Sequence, residues 1–355
     1  MTTFDQGSEP PPDVSPPLPA APHPPRLAEL PSPQLGPPLH HLERMMVLCP
    51  RSLFSVLRQF RNKEWWYTGA YDVQSGVYVS WYFIRVNAVD KLTMTVFDPS
   101  LPSGALPRLT RLCRLDPDHQ DRALRLHATA GTDLEASFEL KSTGRWHFRL
   151  ASKTIEAEIR IEQRIPAFTK FDNEMRDRYA IIHYFQSRSD GQVVVKGGRM
   201  YDLKQALTYH DHCYGRVPSR TGWHWIAVQS ELVAVTVLIN YGGYAQRFAQ
   251  VWFAAGTKSP RTGQWIRLEQ NVSFERENPD DSNGHWAVTS TDLHLSVKPQ
   301  QAVTDRTKFL PLLGGFVNLA HTELFVKAEG RIRVDGRWTD TGKLVGVMEE
   351  HHGHW

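Results

Sequence analysis

At 355 residues the chain is long enough for about two domains. Its 41 Lys and Arg nearly balance 38 Asp and Glu, giving +3, and no basic stripe interleaves with aromatics, which argues against a nucleic-acid surface. No run approaches the ~20 apolar residues of a membrane-spanning helix, whereas 11 Trp, 11 Tyr and 16 Phe suit strands and the walls of apolar cavities.

Residues 1–40 hold 13 of the 24 prolines, from Pro10 to Pro38, and offer almost nothing to bury, so they read as a disordered tail. The tail lacks a basic start followed by an apolar block, and it carries Asp5, Glu9 and Asp13. Neither a signal nor a transit peptide is expected, which leaves a cytoplasmic protein. The three cysteines, Cys49, Cys113 and Cys213, are odd in number and far apart, so they give no zinc spacing and no disulfide framework. From Pro50 to Phe60, Leu53, Val56, Leu57 and Phe60 recur at helical spacing behind Ser52, a capping residue.

After Asn62 the period becomes two. Glu64 to Gly69 and Val77 to Ile84, around a turn at Ser75-Gly76, read as a hairpin. Strand runs continue at Lys91 to Phe97, Leu134 to Leu140, Trp146 to Leu150 and Thr154 to Ile161. A polar, turn-rich stretch from Pro166 to Arg178 is expected to join two halves. Beyond it, runs appear at Ala180 to Gln186, Gln192 to Gly197, Trp223 to Gln229, Leu232 to Asn240 and Phe248 to Ala254. The last are Trp265 to Phe274, Trp286 to Val297, Glu323 to Val334 and Lys343 to His352. Short strands punctuated by Gly, Pro, Asn and Asp predict an all-β fold of two packed antiparallel barrels or sandwiches. The expected division is the tail at 1–40, a helix plus first β-domain at 41–178 and a second β-domain at 179–355.

Two clusters carry chemistry. In Glu64-Trp65-Trp66-Tyr67, Glu64 and Trp66 share one strand face and Trp65 and Tyr67 the other. A carboxylate beside an indole in a dry interior has a raised pKa and suits proton donation. The alternative is that Glu64 pairs with a buried Arg such as Arg85 and the tryptophans simply pack. The second cluster, Tyr209-His210-Asp211-His212-Cys213-Tyr214-Gly215, is followed by Gly222-Trp223-His224-Trp225 across a loop, so both can line one mouth. If extended, His210 and His212 share a face and Asp211 takes the other. A His beside a carboxylate supplies a general acid or base, and Tyr209, Trp223 and Trp225 offer π faces to a carbocation.

A metal reading stands beside this one: His210-x-His212 with His224, and Glu349-Glu350-His351-His352-Gly353-His354, contain possible ligands. No His-Glu-x-x-His motif or cysteine pair accompanies them, so the preferred reading takes no metal and no cofactor. The terminal histidines read as part of a closing strand on which Val345, Val347 and Glu349 alternate. No phosphate-binding glycine loop precedes a helix, and no Gly-x-Ser-x-Gly elbow occurs.

Glu-Trp-Trp-Tyr-x-Gly, Tyr-His-Asp-His-x-x-Gly and Trp-His-Trp, in that order in a β-rich chain, resemble the lipocalin-like carotenoid hydratase (hydroxyneurosporene synthase-like) family, whose wider relatives include fungal Diels–Alderases. Gly346-Val347-Met348-Glu349 resembles the last strand of such chains. The resemblance implies two lipocalin-like barrels, an apolar pocket lined by both halves, and hydration of an isoprenoid double bond or cyclisation of a polyene. In the hydratases a Tyr-x-Asp segment is thought to supply the proton; Leu238-Ile239-Asn240-Tyr241-Gly242-Gly243 here lacks that Asp. The donor is then Asp211, Glu64 or a histidine, unless the reaction needs none.

The expected function is therefore acid-assisted hydration or cyclisation of an elongated apolar small molecule. Asp211 or His210 protonates an alkene, Trp66, Trp225 and Tyr209 shield the cation, and His212 or His224 holds the water. Trp65, Trp223 and Tyr241 complete the expected substrate contacts. A pericyclase without proton transfer and a non-enzymatic lipid or pigment carrier are the alternatives.

Overall fold

The computed structural model describes residues 62–86, 89–118, 125–142, 144–171, 179–216, 220–242, 246–268, 271–278, 284–309 and 317–354. The expected tail, the helix at 50–60 and Cys49 lie outside them. Among the described residues the chain is almost wholly strand, as its period-two pattern predicts.

The first sheet begins as a meander of antiparallel neighbours: β1 (Asn62–Tyr71), β2 (Tyr78–Val86), β3 (Val89–Phe97) and β4 (Arg108–Asp118). It continues through β5 (Arg125–Ala130), β6 (Leu134–Ser142), β7 (Arg145–Ser152) and β8 (Ile155–Glu162). The long β10 (Tyr179–Val195) pairs with β8 along its second half and with the short β9 (Phe168–Phe171) along its first. β11 (Met200–Arg216) then pairs with both β10 and β1, which closes a barrel. β10 and β11, beyond the expected boundary at 178/179, thus complete the first barrel. β11 also extends the Tyr209–Gly215 cluster as one continuous strand.

The second sheet stays open. Its order is β15 (Trp265–Arg267), β14 (Gln246–Phe253), β13 (Val233–Gly242), β12 (Arg220–Gln229), β21 (Leu344–His354) and β19 (Val317–Val334). It ends with β18 (Leu293–Phe309), β17 (Trp286–Thr289) and β16 (Ser273–Arg276), while β20 (Arg337–Asp340) pairs with β19 alone. A second closed barrel is therefore replaced by a curled half-barrel.

Three apolar clusters follow from this arrangement. The interior of the first barrel is filled: Trp66, Trp81, Phe83, Phe138, Trp146 and Phe148 meet there, with Trp81 stacked on Phe148 at 4.5 Å. The concave side of the second sheet buries Ile226, Val228, Val235, Val237, Leu324 and Met348. Between the sheets lies a third cluster, rich in aromatics, including Tyr67, Tyr78, Tyr209, Trp225, Phe248 and Phe325. Polar contacts tie the same seam. Asp305 of β18 accepts from Tyr82 at 3.0 Å and meets Lys91 at 3.0 Å and Arg108 at 2.6 Å. Burial opposes its ionisation, yet the two cations hold its pKa down to about 2.

Gly69, the last residue of the Glu-Trp-Trp-Tyr-x-Gly motif, has a specific packing role. The Tyr78 ring crosses its bare Cα so closely that a Cβ would fall 1.8 Å from the Tyr78 hydroxyl. That passage brings the Tyr78 hydroxyl to 2.9 Å from the Tyr67 hydroxyl, which donates to Glu323 Oε1 at 2.8 Å. Gly69→Ala should overpack this seam and lower the unfolding free energy by about 1–3 kcal/mol. Gly104→Ala, where nothing lies within 4 Å of the added carbon, should leave it unchanged; denaturant titration of both variants checks the contrast.

Candidate active site

Strand alternation divides the sequence motifs between two compartments. Glu64 and Trp66 on β1, with His210 and His212 on β11, the register partners of Thr68 and Trp66, point into the first barrel. His212 Nε2 lies 2.9 Å from Glu64 Oε1, and Trp66 stacks on the His212 ring at 4.4 Å with 4° between planes. Glu64 and His212 are thus held as a buried pair, while Arg85 is engaged by Asp90 at 2.6 Å. His210 stacks on Tyr184 at 4.2 Å and meets the edge of Trp146. Burial lowers its pKa to about 3, so its imidazole is neutral.

Trp65 and Tyr67, Tyr209 and Asp211, and Trp223 and Trp225 leave the opposite faces and converge between the sheets. Trp65, Tyr67, Asp211, Trp223 and Trp225 border an open cleft there, with Tyr209 bonded to Asp211. Trp65 and Trp223 stack across it at 6.1 Å, and Trp225 stands edge-on to Tyr67. Ile181, Leu238 and Tyr241 extend the apolar lining, and Arg220 and Thr221 lie along it. The expected single hollow is thus only partly realised: Glu64, Trp66, His210 and His212 are walled off inside the first barrel. His224, on the other face of β12 from Trp223 and Trp225, joins Phe274 and Trp286 on the concave side of the second sheet.

Asp211 is the ionisable group from the sequence clusters that does reach the cleft. The Tyr209 hydroxyl donates to Asp211 Oδ2 at 2.6 Å and lies 2.6 Å from His183 Nδ1. With its one proton committed to the carboxylate, Tyr209 accepts from His183, giving a relay His183–Tyr209–Asp211. The second carboxylate oxygen, Oδ1, is buried without a hydrogen-bond partner. Burial pushes the Asp211 pKa up to about 7, outweighing the bonds from Tyr209 and the Tyr67 backbone. Burial likewise keeps the Tyr209 phenol protonated, with the Asp211 charge acting in the same direction.

A second carboxyl lines the same space. Glu349 Oε2 accepts from Trp223 Nε1 at 3.0 Å, and His321 Nε2 lies 3.8 Å from Oε1. Burial raises the Glu349 pKa well above the ordinary value, reinforced by the charges of Asp211 and Glu323. Burial also lowers His321 to about 4 and His351 well below its usual range. His351 stacks on Trp223 at 3.7 Å and bonds Thr221 Oγ1 at 3.1 Å. Burial thus disfavours charge both on the carboxyls that line the cleft and on the imidazoles packed near Trp223.

No protein-family model matches the chain, and no curated protein does. Solved structures share its fold. A protein of Nitrosomonas europaea provisionally assigned as AttH superposes with a TM-score of 0.54 at 14% identity, covering 82% of this chain and 93% of its own. Kievitone hydratase from Nectria haematococca gives a TM-score of 0.55 at 10% identity, covering 82% of this chain and 88% of its own. At such identity the likeness is one of architecture, the lipocalin-like arrangement that the motifs suggest.

His183, Glu323 and Glu349 complete the polar surroundings of the cleft and its seam. His183 interrupts the apolar run Ile181-Ile182-His183-Tyr184-Phe185, and Glu323 opens a run that continues Leu324-Phe325-Val326. A titratable residue within or beside a run of large apolar side chains is the signal that marks both.

Because the folded pKa of Asp211 is raised above the unfolded value, its neutral form favours the fold below about pH 4, and that contribution is lost as pH climbs through about 7. Asp211→Asn escapes the loss. Its melting temperature relative to the parent chain should rise from pH 4 to pH 7 and then level off, which a pH series of thermal melts checks.

Proposed function

We propose that the chain is a hydratase acting on the carbon–carbon double bond of an apolar, isoprenoid-like or polyene small molecule, with Asp211 as the acid. The observation that carries this reading is the Asp211 carboxyl itself: buried, lining an aromatic cleft, with Oδ2 held by Tyr209 and Oδ1 without a partner. A protonated carboxyl fixed at one oxygen presents the other to a substrate in a defined direction.

In this mechanism the π electrons of the alkene take the proton from Asp211, leaving a tertiary cation. The faces of Trp65, Tyr67 and Trp225 stabilise it by their quadrupoles while the low dielectric keeps competing water out. One water molecule adds through oxygen, and its surplus proton returns to the Asp211 carboxylate, directly or through Tyr209. The enzyme ends in its starting state and the product gains one water. If a second double bond of the substrate meets the cation before water does, the same proton delivery produces a ring. The fold shared with a protein named as a hydratase supports this choice of reaction, and the cleft's indole and phenol walls support an apolar substrate.

The full chain should convert members of a panel of isoprenoid and polyene compounds in isotopically labelled water, with label appearing in the product by mass spectrometry. Asp211→Asn should lower turnover by ~10²–10⁴-fold, the usual worth of a general acid. Because the protonated form is the active one, kcat/KM should fall as pH rises through about 7. Turnover that survives the substitution, with no label taken up, would mark a proton-independent cyclase and overturn the proposal.

A further inference from the structure

The alternation that sends Glu349 and His351 toward the cleft sends Glu350 and His352 to the concave side of the second sheet. There they meet two residues from neighbouring strands. His224 on β12 is the register partner of Glu350, and Gly222 is the register partner of both His352 on β21 and Tyr241 on β13. Gly222 leaves the space these rings occupy: a Cβ there would stand 2.3 Å from the Tyr241 ring.

The distances within this group are those of ligands around an ion. His224 Nε2 and His352 Nε2 lie 3.7 Å and 3.5 Å from Glu350 Oε1, and the three ligand atoms fall within 4.8 Å of one another. Such separations are at or beyond the limit of a hydrogen bond. They approach the edge of a tetrahedron around zinc, ~3.4 Å for bonds of ~2.1 Å. An octahedral ion with bonds of the same length would need edges of only ~3.0 Å. Arg276 donates to Glu350 Oε2 at 2.7 Å, which orients the carboxylate and leaves Oε1 facing the imidazoles. The Tyr241 hydroxyl lies 3.1 Å from His352 Nε2 and 3.5 Å from His224 Nε2, on the rim of the same space.

We propose that His224, Glu350 and His352 bind one zinc ion, with the fourth position taken by a water that Tyr241 hydrogen-bonds. Two imidazoles and one carboxylate select a first-row transition ion over magnesium or calcium. Phe274 and Trp286 flank His224 and dry one side of the site, while His352 is more than half exposed and leaves the other open to exchange. The histidines of the 209–215 cluster take no part, since they lie inside the first barrel.

The test uses the full chain, stripped with a chelator, titrated with Zn²⁺ by calorimetry and with Co²⁺ by visible absorption. One equivalent should bind, with the cobalt bands of a four-coordinate site. His224→Ala and Glu350→Gln should each weaken zinc by more than the ~10–100-fold that loss of an outer-shell partner brings. His354→Ala should leave binding unchanged. Should His224→Ala fail to fold by circular dichroism, Glu350→Gln, which keeps the side-chain shape, carries the same test. Absence of stoichiometric binding would overturn the proposal. So would binding that is lost with His354→Ala but kept with Glu350→Gln, because the terminal histidines would then be capturing the ion alone.

Discussion

A β-strand sends successive side chains to opposite sides, and in this molecule β1, β11, β12 and β21 each stand between two compartments. The rest of the architecture depends on that constraint. One residue step separates the barrel core from the cleft on β11, where His210 and His212 pack inward and Tyr209 and Asp211 face the second sheet. One step likewise separates the cleft from the concave side on β21, where Glu349 and Glu350 are chemical twins in different surroundings. Glu349 is buried among other acids and driven toward its neutral form, whereas Glu350 is braced by a guanidinium. Residue type alone does not assign a role here; parity along the strand does.

The seam between the sheets is unusual in burying acids beside aromatics. Desolvation disfavours charge, so Asp211, Glu323 and Glu349 all shift toward protonation, and their mutual repulsion adds to the effect for Glu349. The imidazoles nearby shift the other way for the same reason. A group of neutral, hydrogen-bonded polar side chains is tolerable in a low dielectric where the ionised set would not be. The seam can therefore be both a packed interface and a place where a proton is held ready.

The all-β class was legible because alternation and turn residues are local signals, and the runs at Glu64 to Gly69, Leu134 to Leu140 and Trp223 to Gln229 all fall within strands. Strands with weak alternation were not: Arg108–Asp118 mixes Arg with Leu on an exposed flank, and Tyr179–Val195 is broken by a positive φ at Gln186. The same irregularity makes one long strand read as two. Closure of the first sheet depends on β11 pairing with β1, between residues more than a hundred positions apart, which periodicity does not encode. The motifs hold Asp211 and the indoles at 65, 223 and 225, which line the cleft. They also drew in Glu64, His210, His212 and His224, because proximity in sequence mimics proximity in space until parity is known. Glu64 is paired with His212 of β11, a strand that the sequence alone does not mark as its neighbour.

The second sheet terminates on β15 and β16, strands of three and four residues. An exposed strand rim is a template on which another polypeptide can dock backbone to backbone, and its adhesiveness grows with length. Rims this brief offer only a few free donors and acceptors. The half-barrel can thus remain unclosed without inviting end-to-end polymerisation of the kind that a longer bare border would promote.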